Sequence, residues 1–184
     1  MTEDEQAAVA RLLAEAEIRR QLALYARSVD RRDWEAVRGC YFPDAEDWHG
    51  SYRGGRDGFI DWVSARHAET RRSVHFLGNV HVEWLSPDSA LVETYFMALR
   101  READPQDSGG RSRDDTVIGR YLDHFERRAG RWAVVAREVV YDLTRTSWAE
   151  GDEPAMAGQL GRRDSGDPFY AMLARLAPER SDRR

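Results

Sequence analysis

The sequence of 184 residues has no lysine and only one cysteine, Cys40. All 28 basic residues are therefore arginines, which we interpret as a compositional habit and not as a functional signal. A single cysteine excludes an internal disulfide and any metal cluster built on several thiolates. Cysteine-based redox chemistry is therefore not expected.

Long hydrophobic runs and an excess of basic charge are also missing. The longest apolar runs span only a few residues, which is too short for a membrane-spanning helix. The first segment, MTEDEQAAVARLLAEAE, is acidic and helical in pattern, unlike a secretory signal or a transit peptide, so we expect a cytoplasmic location. The net charge of -5 and the pI near 5.6 lack the basic footprint of a nucleic-acid partner.

The composition that is present is typical of a soluble globular protein. Hydrophobic residues make up 41% and charged residues 33% of the chain, which predicts a packed core below a heavily solvated surface. The length fits one domain plus a tail. We place the domain at residues 1–146 and a C-terminal tail with a short helix at residues 147–184.

The first part of the chain has the 3.6-residue apolar period of amphipathic helices. We predict a long helix over 4–29, a shorter helix over 34–41 that Pro43 stops, and a third helix over 57–70. A short final helix is predicted over 169–177, after an acidic cap and a proline.

From Ser73 onward the apolar period changes to two, which indicates strands. VHFLGNVHVEWL and ALVETYFMALRREA predict one antiparallel hairpin, and TVIGRYLDHFERR and RWAVVAREVVYDLT predict another. The polar segment READPQDSGGRSRDD between them is typical of an exposed loop. The order predicts an α+β fold in which helices pack on one curved, mostly antiparallel sheet that can enclose an apolar pocket.

The strand segment SVHFLGN places a histidine, His75, among apolar residues. Such a histidine is consistent with simple core packing, but pairing with an aspartate would make it a base by fixing its tautomer. Asp30 at the end of the first helix is the candidate partner, although it is equally consistent with a terminating residue before the Asp33 cap. Tyr25 lies five residues earlier and is consistent with either core packing or a role in the site.

Two arginines, Arg120 and Arg137, interrupt apolar strands. A buried arginine needs an anion or several acceptors, so each is either a structural ion-pair partner or a donor to a substrate oxyanion. The remaining histidines form no pair with a third metal-ligating residue in their spacing; His75 with His81 would need a carboxylate from elsewhere. We therefore predict no metal site.

Five segments together resemble the SnoaL-like branch of the nuclear-transport-factor-2-like superfamily, which includes scytalone dehydratase, lindane dehydrochlorinase and bile-acid dehydratase. The segments are IRRQLALYARSVDRRDWEAV, YFPDAEDW, SVHFLGNVHVEW, SALVETYF and YLDHFERRAGRWAVVAREVV. The resemblance covers about residues 10–145 and not the tail. It implies a cone-shaped barrel closed by three N-terminal helices, a cofactor-free pocket, and a homodimer or homotrimer.

The resemblance also implies roles for four residues. In those lyases an aspartate of a D-x-x-D-W turn and a histidine of an H-F/Y-x-G strand form a dyad, which correspond here to Asp30 and His75. Tyr25 and Arg137 match a tyrosine and an arginine that assist in bile-acid dehydratase. A counterpart of the second active-site histidine of scytalone dehydratase is not evident, which leaves the substrate open.

The expected function is a cofactor-independent lyase, a dehydratase or similar β-elimination enzyme, that acts on a lipophilic cyclic substrate such as a steroid, terpenoid or polyketide. The residues expected to contact that substrate are Leu22, Phe59, Trp62, Phe76, Phe96 and Arg120. The alternatives are an isomerase or polyketide cyclase with the same dyad, and a non-catalytic module for binding a hydrophobic ligand or for assembly. The C-terminal tail is a candidate lid over the pocket.

Overall fold

The computed structural model describes residues 1–103, 111–150 and 159–177. Within these ranges the helices are α1 Glu3–Arg31, α2 Trp34–Gly39, α3 Arg56–Arg66 and α4 Pro168–Leu176. The strands are β1 Tyr41–His49, β2 Tyr52–Gly55, β3 Arg72–Ser86, β4 Ser89–Ala103, β5 Arg111–Arg128 and β6 Arg131–Glu150. No helix in the described part of the chain is long and apolar enough to span a membrane.

The strands form one mixed sheet in the order β2-β1-β6-β5-β4-β3 among the described residues. Neighbouring strands are antiparallel except β1 and β6, which run parallel. The predicted α+β fold is confirmed, although the sheet curls without closing because β2 and β3 remain at its edges. The long β3–β4 and β5–β6 hairpins confirm the two predicted hairpins.

Helix α1 begins with a capping box in which Thr2 and Glu5 bond each other's backbone N–H groups, and it ends where Arg32 adopts a left-handed conformation (φ 56°). Only its C-terminal half packs on the sheet, through buried residues that include Ile18, Leu22 and Val29. The end of α1 is thereby held against β3, next to the concave face.

Two boundaries differ from the prediction. Tyr41 and Pro43 belong to β1 and not to the second helix, because the Tyr41 ring is buried and its hydroxyl donates to Asp47 at 2.8 Å. The β1–β6 register shifts between Tyr41 and Glu46, and such an irregularity accommodates a proline that has no N–H for the sheet. The third helix ends at Arg66, four residues before the predicted end.

The loop predicted between the hairpins is shorter than expected, because β4 extends to Ala103 and β5 begins at Arg111. Residues 104–110 lie outside the described residues, as do 151–158 and 178–184 of the tail. Strand β6 also continues past residue 146 to Glu150, while α4 confirms the final helix, with Asp167 as its N-cap.

Candidate active site

The end of α1 and the start of β3 bring Asp30 and His75 into direct contact. The Asp30 Oδ1 atom lies 2.7 Å from His75 Nδ1, and its Oδ2 atom accepts a hydrogen bond of 2.9 Å from the His75 backbone N–H. The Ser73 hydroxyl donates a third bond, of 2.9 Å, to Asp30 Oδ1. Three donors therefore fix the carboxylate, and a carboxylate on Nδ1 favours the tautomer in which Nδ1 carries the proton.

His75 is one of the residues that line a cavity of about 80 Å³ between α3 and the concave face of the sheet. Its side chain is 9% exposed, and that of Asp30 is 16% exposed. Because Nδ1 is engaged by Asp30, only Nε2 is left to face the cavity. The full lining is His49, Trp62, Val63, Arg66, His67, His75, Phe96, Ala98, Arg100, Val117, Tyr121 and Tyr141.

A second histidine of the cavity wall, His67, is held by the tail. Arg163 donates to His67 Nδ1 at 2.9 Å and also to the backbone carbonyls of Asp30 and Thr70, at 2.9 and 2.7 Å. Burial, with the charges of Arg163 and other nearby cations, lowers the pKa of His67 to about 3. His67 is therefore neutral, and with Nδ1 accepting, its proton is on Nε2.

A third histidine, His49, lies on the same wall and stacks on Phe59, with ring centroids 5.4 Å apart. Its Nδ1 atom is 3.6 Å from Asp47 Oδ1, and neither atom has a hydrogen-bond partner among the described residues. Asp47 is fully buried, and its other oxygen accepts the Tyr41 hydroxyl. This pair is a looser arrangement than the contact between Asp30 and His75.

Arg137 is paired inside the protein. Its side chain is 1% exposed, and it makes two hydrogen bonds, of 2.6 and 2.7 Å, to Asp123. Burial, the largest single effect, would lower the pKa of Arg137, but the charge and hydrogen bonds of Asp123, together with Tyr41 and Tyr25, raise it above its ordinary value. The guanidinium also lies 4.1 and 4.3 Å from the ring centroids of Tyr25 and Tyr121. This placement corresponds to the ion-pair reading of Arg137.

Tyr25 lies behind the cavity wall, with its ring edge-on to Tyr41 and Tyr121. Burial raises the pKa of its hydroxyl well above the ordinary value, against the opposing effect of Arg137. Among the described lining residues Tyr121, and not Tyr25, reaches the cavity. A role for Tyr25 in catalysis would therefore act through its packing on Tyr121.

The predicted substrate contacts divide into three groups. Trp62 and Phe96 line the cavity, whereas Leu22 and Phe59 are buried in the core behind it. Phe76 is 59% exposed on the outer face, because adjacent strand residues point to opposite sides and His75 points inward. The prediction that Phe76 lines the pocket is therefore wrong.

The prediction of a substrate contact by Arg120 is also wrong, whereas its alternative, a structural ion-pair role, is confirmed. Arg120 follows the inward-facing Gly119 and precedes Tyr121 on β5, so its side chain lies on the outer face. There it bonds Glu93 at 2.9 Å and Asp142 at 3.1 and 3.2 Å. These partners satisfy the guanidinium away from the cavity.

The sequence reading assigned no role to four polar residues of the wall, namely His49, His67, Arg66 and Arg100. A signal existed for two of them, since Arg66 follows Trp62 by one helical turn and Arg100 continues the inward alternation of β4 beyond Phe96. In the part of the chain that the structure describes, no group of three or more histidine, cysteine or acidic side chains is arranged to hold a metal ion.

The family model of the SnoaL-like domain matches residues 10–138. The chain belongs to the SnoaL-like family. The matched region contains Asp30 and His75 and ends within β6, and α4 and the tail lie outside it. No curated protein matches the chain.

Solved structures share this fold at low identity. A candidate scytalone dehydratase from Novosphingobium aromaticivorans superposes with a TM-score of 0.67 at 19% identity, over 83% of this chain and 99% of that one. The hexachlorocyclohexane dehydrochlorinase LinA-type3 from Novosphingobium barchaimii gives 0.69 at 19%, over 80% and 99%. The β-subunit of benzoate 1,2-dioxygenase from Burkholderia mallei gives 0.56 at 21%, over 69% and 89%. At these identities the likeness concerns the fold.

Proposed function

We propose that this SnoaL-like protein is a cofactor-independent lyase, a dehydratase or related β-elimination enzyme, with Asp30 and His75 as its general-base dyad. The observation that carries the proposal is the 2.7 Å contact between Asp30 and His75 at the wall of the cavity between α3 and the sheet. A base held in one tautomer by a carboxylate suits proton abstraction and contributes about 10²- to 10⁴-fold in rate. The fold shared with a dehydrochlorinase supports the reaction class.

The proposed reaction moves one proton from the substrate to His75 and back to the leaving group. His75 Nε2 takes a proton from a carbon next to an electron-withdrawing group, and Asp30 stabilises the imidazolium that forms. The C–H electrons form the new double bond as the C–O bond on the adjacent carbon breaks. The imidazolium returns its proton to the departing hydroxyl, so water leaves and the neutral base is restored.

The substrate is proposed to be a lipophilic cyclic molecule whose reacting edge enters the cavity. Trp62, Phe96 and Tyr121 provide aromatic walls for a ring. The cavity of about 80 Å³ is far below the roughly 300–1,000 Å³ of pockets that enclose a whole drug-sized ligand. We therefore expect the rest of the substrate to remain at the cavity mouth.

An isomerase or cyclase with the same base is the nearest variant, since it differs only in where the proton and electrons go after abstraction.

A different class, an assembly module, is favoured by the outer face of the sheet and by the fold shared with a dioxygenase β-subunit. That outer face carries exposed apolar side chains on adjacent strands: Val74, Phe76, Leu91, Tyr95, Met97 and Leu99. We propose that a second or third copy of this chain covers it, as a homodimer or homotrimer.

The test uses a panel of cyclic β-hydroxy ketones and chlorinated rings incubated with the protein in D₂O, followed by mass spectrometry. Loss of water or chloride reports elimination, and deuterium incorporation without loss reports isomerisation. We expect His75→Gln to abolish either signal, whereas His81→Gln, an exposed histidine of the same strand, leaves it unchanged. Turnover that survives His75→Gln would remove the dyad proposal.

A further inference from the structure

Two arginines border the cavity. Arg100 continues the inward series of β4 beyond Phe96 and Ala98, and its side chain is only 14% exposed. Arg66 is the last residue of α3, one turn after Trp62, and its guanidinium lies 5.6 Å from the centroid of that ring. The two charges thus face one cavity from the sheet and from the helix.

Arg100 makes no hydrogen bond to any described residue, although it is largely buried. Its closest carboxylate oxygens belong to Glu102 at 3.5 Å and Asp115 at 3.7 Å, both beyond good hydrogen-bond length. Those carboxylates serve another cation, since Arg113 donates to Glu102 at 3.0 Å and to Asp115 at 3.1 Å. A guanidinium has five N–H donors and is costly to bury without acceptors. Arg100 therefore has two loose ion pairs, to Glu102 and Asp115, but donors that a ligand could still engage by hydrogen bonds.

Arg66 differs from Arg100 in being exposed to solvent. It has neither an ion pair nor a hydrogen bond within the described ranges, and its one charge-specific contact is the face of Trp62. Burial lowers the pKa of Arg100, the charges of Glu102 and Asp115 oppose this shift only in part, and the repulsion by Arg66 adds to it. An anion placed between the two guanidinium groups would relieve both the cost of burial and the repulsion.

The neighbouring wall adds a hydrogen-bond donor, and no acidic residue is among the described residues that line the cavity. His67 presents Nε2–H, because Arg163 occupies its Nδ1. The one carboxylate of the dyad, Asp30, already accepts three hydrogen bonds behind His75. The cavity lining thus contains two arginines and no acidic residue among the described residues, and the nearby Glu102 and Asp115 are shared between Arg100 and Arg113.

We propose that the cavity binds a carboxylate-bearing ligand, with the carboxylate between Arg100 and Arg66 and the apolar body against the aromatic wall. This inference rests on the proposed function only in taking that ligand to be the substrate, and it then defines the substrate as a cyclic carboxylic acid. Planar guanidinium groups bind carboxylates through paired hydrogen bonds, which fixes orientation as well as position. Binding of the carboxylate orients the ligand so that its reacting carbon faces His75.

Isothermal titration calorimetry with benzoate and with benzamide tests the site on the full chain. The two probes share their shape, but only benzoate is charged at neutral pH. We expect benzoate to bind more tightly than benzamide by about 10- to 150-fold, the worth of hydrogen bonds to a charged group. Equal affinities, or no binding of benzoate, would overturn the proposal without any variant being made.

Variants locate the interaction. Arg100→Gln should lower the affinity for benzoate by about 10- to 150-fold and leave the affinity for benzamide unchanged. Arg100→Lys keeps the charge but not the planar pair of donors, so its affinity for benzoate should lie between those of the wild type and Arg100→Gln. Arg120→Gln removes an arginine of the outer face and is the matched control. Benzoate affinity that is the same in Arg100→Gln and in the wild type would contradict the assignment.

The anion site and the dyad can fail separately. His75→Gln should retain benzoate binding, because His75 does not hold the carboxylate in this arrangement. If the protein converts neutral rings but does not bind benzoate, the proposed carboxylate site is refuted and the dyad proposal is unaffected. If Arg100→Gln weakens benzoate binding but His75→Gln keeps full turnover, the dyad proposal is refuted and the carboxylate site at Arg100 is supported.

Discussion

Replacement of Asp30 by asparagine removes the charge behind His75 with little change in size. The Nδ1 and Oδ1 atoms lie 2.7 Å apart, and the centres of the two charges are roughly 4 Å apart in the protonated pair. At an effective dielectric constant of about 20, the lost attraction is about 4 kcal/mol, or on the order of 10³-fold in rate if it acts fully on the imidazolium. We expect the turnover of Asp30→Asn to fall by about 10²- to 10⁴-fold.

The assay is the rate of water loss or of solvent-deuterium incorporation for a substrate that the wild-type chain converts. Asp33→Asn is the matched control, because Asp33 lies three residues away and caps α2 through Ala36 N–H, a role that asparagine fills equally well. The control should keep its rate, and circular dichroism should show both variants folded. A loss of less than about tenfold for Asp30→Asn would refute the electrostatic role of the dyad.

Three further predictions concern stability and assembly. Arg137→Ala should lower the free energy of unfolding by about 3–5 kcal/mol in urea titrations, because it leaves the buried Asp123 carboxylate without its partner. Arg120→Ala should change the free energy of unfolding little, and equal losses in the two variants would contradict the importance of the buried pair. With its pKa lowered to about 3 from an ordinary 6.5, His67 binds a proton only in the unfolded chain between those values, so stability should fall with decreasing pH there by up to about 1.4 kcal/mol per unit. His67→Gln should flatten that dependence and His81→Gln should not, as urea titrations across pH would show. Phe76→Asp should shift the protein toward monomer in analytical ultracentrifugation, and an unchanged mass would exclude this face as an interface.

The sequence predicted the fold well where one physical signal dominated. The alternation from Ser73 onward specified both hairpins, and Asp167 followed by Pro168 specified α4. The start of β1 could not be predicted, because Tyr41 and Pro43 read as the end of a helix unless the buried bond between Tyr41 and Asp47 is known. That bond is a tertiary interaction, and local propensity does not contain it.

The candidate site was predictable where a chemical motif coincided with a structural boundary. The predicted contact between Asp30 and His75 is present. The predicted pocket positions of Phe76 and Arg120 conflict with strand alternation, because their neighbours His75 and Tyr121 point into the cavity and they therefore point to the outer face. Strand registers decide which long side chains reach one cavity, and a single sequence gives those registers only indirectly. The alternation of β4 indicates that Arg100 points inward, but its position opposite α3 is seen only in the assembled sheet.

The most direct test of the central claim is the tautomer of His75, measured by long-range ¹H–¹⁵N NMR of its ring nitrogens at neutral pH. The arrangement with Asp30 predicts a protonated Nδ1 and a bare Nε2 whose signal moves when a ligand enters the cavity. A protonated Nε2, or an Nε2 signal that ignores every ligand shown to bind, would contradict a base that faces the cavity.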